Sequence, residues 1–477
     1  MPLILGTNSI KDTGYNVANS CRFNAADTAY MHKTPGSASN RKTFTVSAWV
    51  KRCALRTDDT STIFAAGDGS TDDGYFVINW NHSPANTIVV QWRGGEANNY
   101  KKTTQVFRDI SAWYHVVCAV DTTQAVEANR LKFYINGTQV TSFGENDTLT
   151  EDFEFSVNST EKQMVGVSVT SVGNFQSYLD AYQSEVCLID GSQLTPSSFG
   201  EFDSDSPTIW KPTDVSELTF GTNGFYLDFE ASGNLGNDVN GGTDLTEVNL
   251  AATDQATDTP TNNFCTMLPI TKSTDASFTE GNLNVAYGTE STRRSAFGTM
   301  AVANGKWYWE TTITATSQTS VEINLGISST YNPELIGNAL ISTDGYSVSF
   351  FPSNGYLYIG NTQDESGLGN AAVNDIFGHA LNMDDGTLQF YKNGSALGSA
   401  NDITTSGSNV GELYPSFTPA VSCSSGDQTF TSSYNFGSPA VSISSGNADG
   451  NGYGNFEYAP PSGFLAICTK NLGSTGG

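Results

Sequence analysis

Residues 44–50 read FTVSAWV, and the residues at positions 44, 46, 48 and 50 are all apolar. This alternation is typical of a β-strand, in which successive side chains point to opposite faces. The pattern returns in four further segments of the first half of the chain, which are residues 74–80, 87–92, 113–120 and 131–135. Because Gly, Asn and Asp clusters separate these segments, the sequence predicts an antiparallel β-sandwich.

The composition supports an all-β fold for the whole chain. The chain has 477 residues, of which 15% are charged and 47 are glycine. An average soluble protein has roughly 25% charged residues, and no window here carries the repeating Glu, Lys and Arg of long exposed helices. A chain of this length is too long to fold around one ordinary hydrophobic core, and its length is typical of two domains.

A polar stretch separates two sets of predicted strands. Residues 231–264 are rich in Asn, Asp, Gly and Thr, which is typical of a linker. Strand patterns resume beyond it at residues 305–310, 321–327, 345–351, 355–359 and 379–383. We therefore predict two antiparallel β-sandwich (jelly-roll-like) domains in tandem, over residues 1–230 and 265–477, joined by this polar linker.

One short motif occurs in both halves. Residues 131–138 read LKFYINGT and residues 388–395 read LQFYKNGS. An Asn-Gly pair accepts positive φ at both turn positions, which a two-residue hairpin requires. The motif predicts one tight hairpin in each half and suggests that the two sandwiches have related topologies.

The charge balance argues against polyanionic partners. The chain has 22 basic and 49 acidic residues, which gives a formal net charge of −27 at pH 7. Proteins bind nucleic acids through clustered Lys and Arg, and this chain has no basic stretch. The negative net charge also disfavours binding to anionic membranes. We expect neither a nucleic acid nor a membrane as a partner.

Targeting and cysteine patterns indicate a protein made in a reducing cytosol. Residues 1–11 lack the basic flank of a secretory signal, and no run approaches the ~20 apolar residues of a membrane helix. The cysteines lie far apart, without a CxxC pair. We expect buried thiols at all seven positions, which are Cys21, Cys53, Cys118, Cys187, Cys265, Cys423 and Cys468.

Particular stretches resemble known families. Residues 20–30, 44–52, 113–121, 131–140 and 178–191 resemble the laminin G-like branch of the Concanavalin A-like lectin/glucanase superfamily. Further stretches resemble the version of this domain in bacteriophage tail-fibre and virion proteins, and the likeness extends over roughly residues 18–265. These further stretches are residues 199–203, 210–212, 221–229 and 258–265.

The second half resembles a SPRY domain. The likeness is carried by residues 305–310, 344–347, 381–394 and 413–417, and above all by the aromatic strand and the Asn-Gly hairpin. Residues 460–472 are similar to the ending of phage proteins that join these two modules. Such motifs identify a fold better than an activity.

The resemblance implies a non-enzymatic phage virion structural protein. It would be an appendage on capsid or tail, as a decoration, knob or fibre component, made in the host cytoplasm. Its partners would be other virion proteins and host cell-surface glycans, and it could form a homo-oligomer. Two alternatives stay open: a carbohydrate-active enzyme of the glycoside hydrolase or lyase class, and an adhesion or scaffolding protein.

One acidic stretch comes near a glycosidase pattern. Retaining glycosidases need two carboxyl groups ~5 Å apart, and Glu201, Asp203 and Asp205 would share a face if they formed a strand. However, Ser206 stands where the last Glu of the family pattern belongs, and Pro207 follows. The sequence favours a solvated turn, and we predict no catalytic residue.

A second acidic stretch offers candidate calcium ligands. Residues 68–74 read DGSTDDG, with side-chain oxygens at alternate positions, as in a calcium loop. The candidate ligands are Asp68, Asp72 and Asp73. The register is not that of an EF-hand, because Asp73 stands where Gly belongs and Asn79 where Glu belongs. A plain Asx-rich turn is the alternative. We predict no other cofactor.

Several aromatic residues stand beside polar or glycine-rich stretches. Trp80, Trp92, Tyr178 and Tyr182 can stack on sugar rings while neighbouring amides bind hydroxyl groups. Packing in a core or an interface is the alternative. In the second half, Arg293 and Arg294 lie in a loop that can present a binding face.

The histidines do not form a catalytic unit. His115 and His379 lie inside strand patterns, where a hydrogen-bonded structural role is the usual outcome, and no Ser-His-Asp or Cys-His arrangement is predicted.

Overall fold

The computed structural model describes residues 14–56, 59–68, 74–94, 97–171, 174–269, 276–288, 294–317, 322–330, 341, 345–404, 416–423 and 429–475. The chain divides into two compact units, and the boundary lies between Thr261 and Asn262. In both units nearly all of the regular secondary structure is β-strand, which confirms the predicted fold class.

The strands of the first unit are named in chain order. They are β1 (Ser20–Phe23), β2 (Tyr30–Lys33), β3 (Thr43–Arg52), β4 (Ser61–Ala66), β5 (Phe76–His82), β6 (Ala85–Gly94), β7 (Ala97–Thr103), β8 (Trp113–Asp121), β9 (Leu131–Ile135), β10 (Thr138–Gln139), β11 (Phe143–Asn146), β12 (Gln163–Val165), β13 (Ser168–Ser171), β14 (Asn174–Gln176), β15 (Ala181–Asp190), β16 (Gly200–Phe202), β17 (Trp210–Pro212), β18 (Phe225–Leu227), β19 (Thr246–Val248) and β20 (Gln255–Ala256). Short 3-10 turns cover Ala25–Asp27, Glu127–Asn129, Pro196–Ser198 and Ala252–Asp254.

Two sheets of the first unit form a sandwich. Sheet A has the order β10-β9-β8-β3-β15-β1-β20, with β18 beside β15, and sheet B has the order β11-β7-β6-β5-β4-β12-β2-β19. The hairpins β13–β14 and β16–β17 lie outside both sheets. Phe44, Val46, Ala48 and Val50 all lie in the core between the sheets, as the alternating pattern of residues 44–50 predicts.

The predicted linker over residues 231–264 is wrong for nearly all of its length. β19 pairs with β2, and β20 pairs with β1, so this stretch adds an edge strand to each sheet. Leu235 and Leu245 are buried in the core of the first unit. The many Asn, Asp and Gly residues form turns, whereas a few separated apolar residues, which also include Val248, Leu250 and Ala256, supply the packing contacts. The first domain therefore ends at Thr261 and not at residue 230.

The second unit is also a sandwich. Its strands are β21 (Ala276–Thr279), β22 (Asn284–Tyr287), β23 (Arg294–Phe297), β24 (Lys306–Thr316), β25 (Ile323–Ser329), β26 (Ser347–Phe351), β27 (Tyr356–Ile359), β28 (Thr362–Glu365), β29 (Ile376–Asn382), β30 (Thr387–Lys392), β31 (Ser395–Asp402), β32 (Phe417–Cys423), β33 (Phe430–Asn435) and β34 (Leu465–Ala466). The helix α1 (Thr469–Thr475) follows. In the part of the chain that the structure describes, no helix has the length and apolarity to cross a bilayer.

The sheets of the second unit repeat the arrangement of the first. One has the order β21-β22-β33-β24-β29-β30-β31, with β34 beside β24, and the other has the order β23-β32-β25-β26-β27-β28. Taken in chain order, the twelve strands from β22 to β33 correspond one to one to β1–β10, β12 and β15. Corresponding strands have corresponding neighbours in the sheets. The prediction of related topologies is confirmed.

The shared Asn-Gly motif forms the same turn in both units. Asn136 accepts a hydrogen bond from the backbone N–H of His115 through its Oδ1 atom (2.7 Å) and donates its own N–H to the carbonyl of that residue (2.9 Å). Asn393 makes the corresponding pair of bonds with Ile376, at 2.9 and 2.8 Å. Each asparagine thus joins its hairpin turn to the start of the neighbouring strand.

The seven cysteines are buried thiols, as predicted. Burial raises the pKa of Cys53 and Cys187, so their thiols stay protonated near neutral pH. These thiols pack as small apolar side chains.

Candidate functional site

The outer face of sheet B carries a row of polar side chains. In β5, Phe76, Ile78 and Trp80 belong to the core, so Asn79 between them points to the opposite face. In β6, Val90 and Trp92 belong to the core, which leaves Gln91 and Arg93 on that outer face. The two-residue period of adjacent strands therefore sets amides and a guanidinium side by side.

The hairpin β13–β14 covers part of this outer face. Val169 of the hairpin packs with Tyr30, Ala65 and Val77 in a small apolar cluster outside the main core. Phe175, also on the hairpin, stacks on Tyr30 with ring centroids 5.0 Å apart. The apolar half of the outer face is thus sealed, and the hairpin becomes one wall of a groove over the polar half.

This groove has a volume of 290 Å³, near the lower limit of roughly 300 Å³ for small-ligand sites. We call it the amide groove. Side chains from three strands of sheet B and from the hairpin line it, including Tyr75, Asn79, Gln91, Arg93, Asn98 and Gln176.

Neighbouring side chains hold the floor of the amide groove in place. Arg93 donates from Nε to Oδ1 of Asn98 (3.2 Å), and Gln91 donates from Nε2 to the same oxygen (3.5 Å). The Arg93 guanidinium carbon lies 5.9 Å from the ring centroid of Tyr75. Burial raises the pKa of Tyr75 to about 12, so its hydroxyl remains a hydrogen-bond donor at neutral pH.

Among the described residues that line the amide groove, Asn79 has an unsatisfied hydrogen-bond acceptor. It is 6% exposed, and its Oδ1 atom is buried without a hydrogen-bond partner. A buried acceptor left unsatisfied costs about 1–3 kcal/mol, and such groups in native proteins need an explanation. A bound hydroxyl or amide group could satisfy this oxygen.

Comparison with known families accounts for both units. Residues 25–198 match the family model for the Concanavalin A-like lectin/glucanases superfamily in its laminin G form. Residues 306–432 match the model for the SPRY domain. A laminin G-like domain precedes a SPRY domain. The first unit is called the lectin-like domain below, and the second the SPRY domain.

Several solved structures match parts of the chain. The SPRY domain of human HERC1 is 16% identical, with 35% of this chain and 96% of that chain covered and a TM-score of 0.29. The native heptameric SAP-like pentraxin from Limulus polyphemus is 13% identical over 38% of this chain and 80% of that chain, with a TM-score of 0.28.

A candidate carbohydrate-binding protein from Bacteroides ovatus is 16% identical over 38% of this chain and 46% of that chain, with a TM-score of 0.27. Comparison with the curated proteins gives no match.

Three of the aromatic residues predicted to bind sugars lie inside the lectin-like domain. Trp80 and Trp92 are 2% exposed and belong to the core between the sheets, while Tyr182 is 1% exposed beneath Ala256 and Trp113. The predicted exposure of these three side chains is wrong. Strand alternation turns the rings of Trp80 and Trp92 into this core. Tyr182 is covered instead in a separate small cluster.

The other predicted binding residues remain predictions. Tyr178 is half-buried, with its ring 6.2 Å from that of Tyr30 on the outer side of sheet B. Arg293 lies outside the described residues, and Arg294 begins β23 with a side chain that is likewise outside the description. The sequence prediction did not include the residues of the amide groove. Asn79 and Gln91 each stand next to a tryptophan, and tryptophan is the more obvious residue type for sugar binding.

The calcium prediction also remains open. Asp68 is half-buried, whereas Asp72 and Asp73 lie outside the described residues. Over the ranges that the structure does describe, no group of three or more His, Cys, Asp or Glu side chains is placed to hold a metal ion.

The acidic stretch that resembled a glycosidase pattern forms a turn in the lectin-like domain. Oδ1 of Asp203 accepts the backbone N–H groups of Asp205 (3.0 Å) and Ser206 (2.8 Å). These bonds, that of Ser206 first, lower the pKa of Asp203. Lys211 lies 3.4 Å from Glu201 and 3.2 Å from Asp203. The carboxylates therefore serve a turn and an ion pair.

The two strand histidines have the structural role that the sequence indicates. His115 of the lectin-like domain stacks on Trp49 (4.7 Å), accepts a hydrogen bond from Trp210 at Nδ1 (3.0 Å) and contacts the Ser47 hydroxyl through Nε2 (2.8 Å). Burial lowers its pKa to about 3. In the SPRY domain, His379 stacks on Trp309 at 4.8 Å, and burial likewise lowers its pKa to about 3.

Glu185 is a buried carboxylate of the lectin-like domain. It lies at a bulge in β15 with a positive φ of 49°, and its Oε2 atom accepts hydrogen bonds from Tyr226 (2.8 Å) and Tyr15 (3.2 Å). Burial is the main cause that raises its pKa to about 7, and the charges of Asp228 and Glu230 add to the effect. Two tyrosine hydroxyls thus enclose a carboxyl group that titrates near neutrality.

We expect this carboxyl group to make the stability of the lectin-like domain depend on pH. Its folded pKa lies above the unfolded value, so the stabilisation from its protonation is complete below about pH 4.5 and is lost as the pH rises through about 7. Glu185→Gln should flatten this part of the profile. Thermal unfolding of both proteins between pH 4.5 and 8 measures the difference, and parallel profiles would contradict the assignment.

Proposed function

We propose that the protein binds glycans and that the amide groove of the lectin-like domain holds them. The observation that carries this proposal is the buried, unpartnered Oδ1 atom of Asn79 in a groove lined by amides. A lectin-like domain suggests a binding or adhesion role, and this groove supplies a surface of the right chemistry.

The chemistry of the groove suits sugar hydroxyl groups, each of which can donate and accept a hydrogen bond. Oδ1 of Asn79 can accept from a hydroxyl, whereas the amide groups of Gln91 and Gln176 can both donate and accept. The Tyr75 ring adds an apolar surface beside these groups. Polar groups in a small concave site fix the orientation of a ligand and give specificity.

We further propose that this glycan-binding protein is a structural component of a bacteriophage virion. The support is the resemblance of residues 199–203, 210–212, 221–229 and 258–265 to phage tail-fibre and virion proteins. The protein would be made in the host cytoplasm and assembled with other virion proteins on capsid or tail. Its glycans would then be those of the host cell surface.

The proposed role is binding without bond cleavage. Laminin G-like and SPRY domains are usually binding modules, and Lys211 pairs with two of the carboxylates that approached a glycosidase pattern. Release of reducing ends from bound polysaccharide by the purified protein would contradict this part of the proposal.

The experiment that tests the groove uses Asn79→Leu. Leucine has nearly the same shape but no acceptor, so retention on an oligosaccharide array should fall about tenfold while the melting temperature stays equal or rises. The matched control is Asn99→Ala, because Asn99 lies next to Asn98 in β7 but does not line the groove. Retention equal to that of the unmodified protein, or no retention of any oligosaccharide by that protein, would contradict the proposal.

A further inference from the structure

A second groove lies at an edge of the lectin-like domain, where β10 ends sheet A and β11 ends sheet B. It has a volume of 480 Å³, which falls within the range of roughly 300–1,000 Å³ for small-ligand sites. We call it the edge groove. Its described lining includes Thr104, Gln105, Thr138, Gln139, Phe202 and Thr208.

The hairpin β16–β17 contributes an exposed aromatic ring to the edge groove. Glu201 is paired with Lys211 across this hairpin, and Phe202 with Trp210. Because successive residues alternate between faces, the charged pair lies on one side and the aromatic pair on the other. Phe202 is 46% exposed, and among the large apolar side chains that the structure describes as exposed it is the one aromatic residue.

Rigid packing holds the Phe202 ring at the surface. It packs against Trp210 in a T-shaped arrangement, with ring centroids 4.9 Å apart and an angle of 72° between the planes. Trp210 is fixed by its hydrogen bond to His115 and lies so close to Gly137 that an added Cβ atom would come within 2.3 Å of the ring. With Trp210 filling the space beneath it, Phe202 cannot turn inwards.

The lining of the edge groove is electrically neutral. Every described residue that lines it is uncharged, and most carry a hydroxyl or an amide group. This is notable in a chain with a net charge of −27, which disfavours anionic ligands generally. Hydroxyl and amide groups around one exposed aromatic face can bind an uncharged, polyhydroxylated molecule.

We infer that the edge groove is a second saccharide site, specific for neutral sugars, with Phe202 as its stacking platform. An extended peptide is the poorer fit, because the edge strand β10 has only two residues with which to form a ladder. The site shares no lining residue with the amide groove among those described. It therefore stands or falls independently of the function proposed above.

The test uses an array of neutral and acidic oligosaccharides and the variant Phe202→Ala on the background of Asn79→Leu. With the amide groove disabled, a residual retention should persist for neutral oligosaccharides, and Phe202→Ala should lower this residual retention at least tenfold. Phe202→Tyr should restore it, since the ring is kept. The matched control is Val239→Ala, which truncates another exposed apolar side chain (42% exposed) of the same domain.

Each other outcome overturns the edge site. Loss of all retention in Asn79→Leu alone would refute it and leave the amide groove standing. Equal retention in Phe202→Ala, or a background protein that retains acidic oligosaccharides only, would also refute it. If no form of the protein, unmodified included, retains any oligosaccharide, the amide groove and the edge groove fall together.

Discussion

Asp258→Asn is expected to lower the unfolding free energy of the lectin-like domain by about 3–5 kcal/mol. Asp258 lies 2.6 Å from the ammonium group of Lys51, and both side chains are 1% exposed. Asparagine retains an oxygen for Trp113, which donates to Oδ1 of Asp258 at 3.1 Å. The substitution removes the charge and puts an NH2 donor in place of Oδ2, which accepts from Lys51. It thus leaves a cation in a site from which water is excluded.

Scanning calorimetry of the full chain measures this loss as a lower melting temperature for one of the two domains. The matched control is Glu154→Ala, which breaks an ion pair of similar length with Arg41 (3.0 Å) whose side chains are 30% and 52% exposed. Exposed pairs contribute about 0–1 kcal/mol. A loss for Asp258→Asn no larger than that of the control would show that the buried pair does not stabilise the fold.

Gly137→Ala is expected to cost about 2–5 kcal/mol. Gly137 has a φ of 75°, and the left-handed region costs other residues roughly 1–2 kcal/mol. A Cβ atom there would also come within 2.3 Å of the Trp210 ring, and overpacking typically adds about 1–3 kcal/mol. The same reasoning applies to Gly394 of the SPRY domain, where φ is 78° and the Cβ atom would approach Tyr458 to 2.5 Å.

The contribution of the clash can be separated from that of the backbone. Gly191 has a φ of 93°, and in the described part of the chain no side chain or more distant backbone lies within 4 Å of the position that a Cβ atom would take there. Gly191→Ala therefore measures the backbone strain alone. Calorimetry should show a larger loss of stability for Gly137→Ala and Gly394→Ala than for Gly191→Ala. The loss for Gly137→Ala should appear in the unfolding transition of the lectin-like domain, and that for Gly394→Ala in the transition of the SPRY domain. Equal losses of stability at the three positions would mean that the rings of Trp210 and Tyr458 move aside at no cost.

The sequence predicts the sheets well because strand alternation and turn chemistry are local. Residues 44–50 and the two Asn-Gly motifs each carry their structure within eight positions or fewer. The linker prediction failed because strand pairing is not local. β20 is two residues long and forms only because β1, more than 200 positions earlier, offers an unpaired edge.

The candidate site was harder to predict than the fold. Trp80 and Trp92 attract attention as sugar platforms, but the same alternation that defines their strands assigns them to the core and their neighbours to the outer face. That signal was available for Asn79 and Gln91. The wall of the amide groove was not predictable in this way, since it depends on how the hairpin β13–β14 folds back over sheet B.

The late strands of the lectin-like domain also constrain how the protein is made. Synthesis proceeds from the N-terminus, so β1 at the edge of sheet A stays unpaired on one side until β20, residues 255–256, has left the ribosome. The ion pair of Lys51 forms later still, because Asp258 lies 207 residues further along the chain. A nascent chain of 230 residues therefore carries both an open sheet edge and an unneutralised cation. Shortened genes that encode this domain alone should end after codon 261.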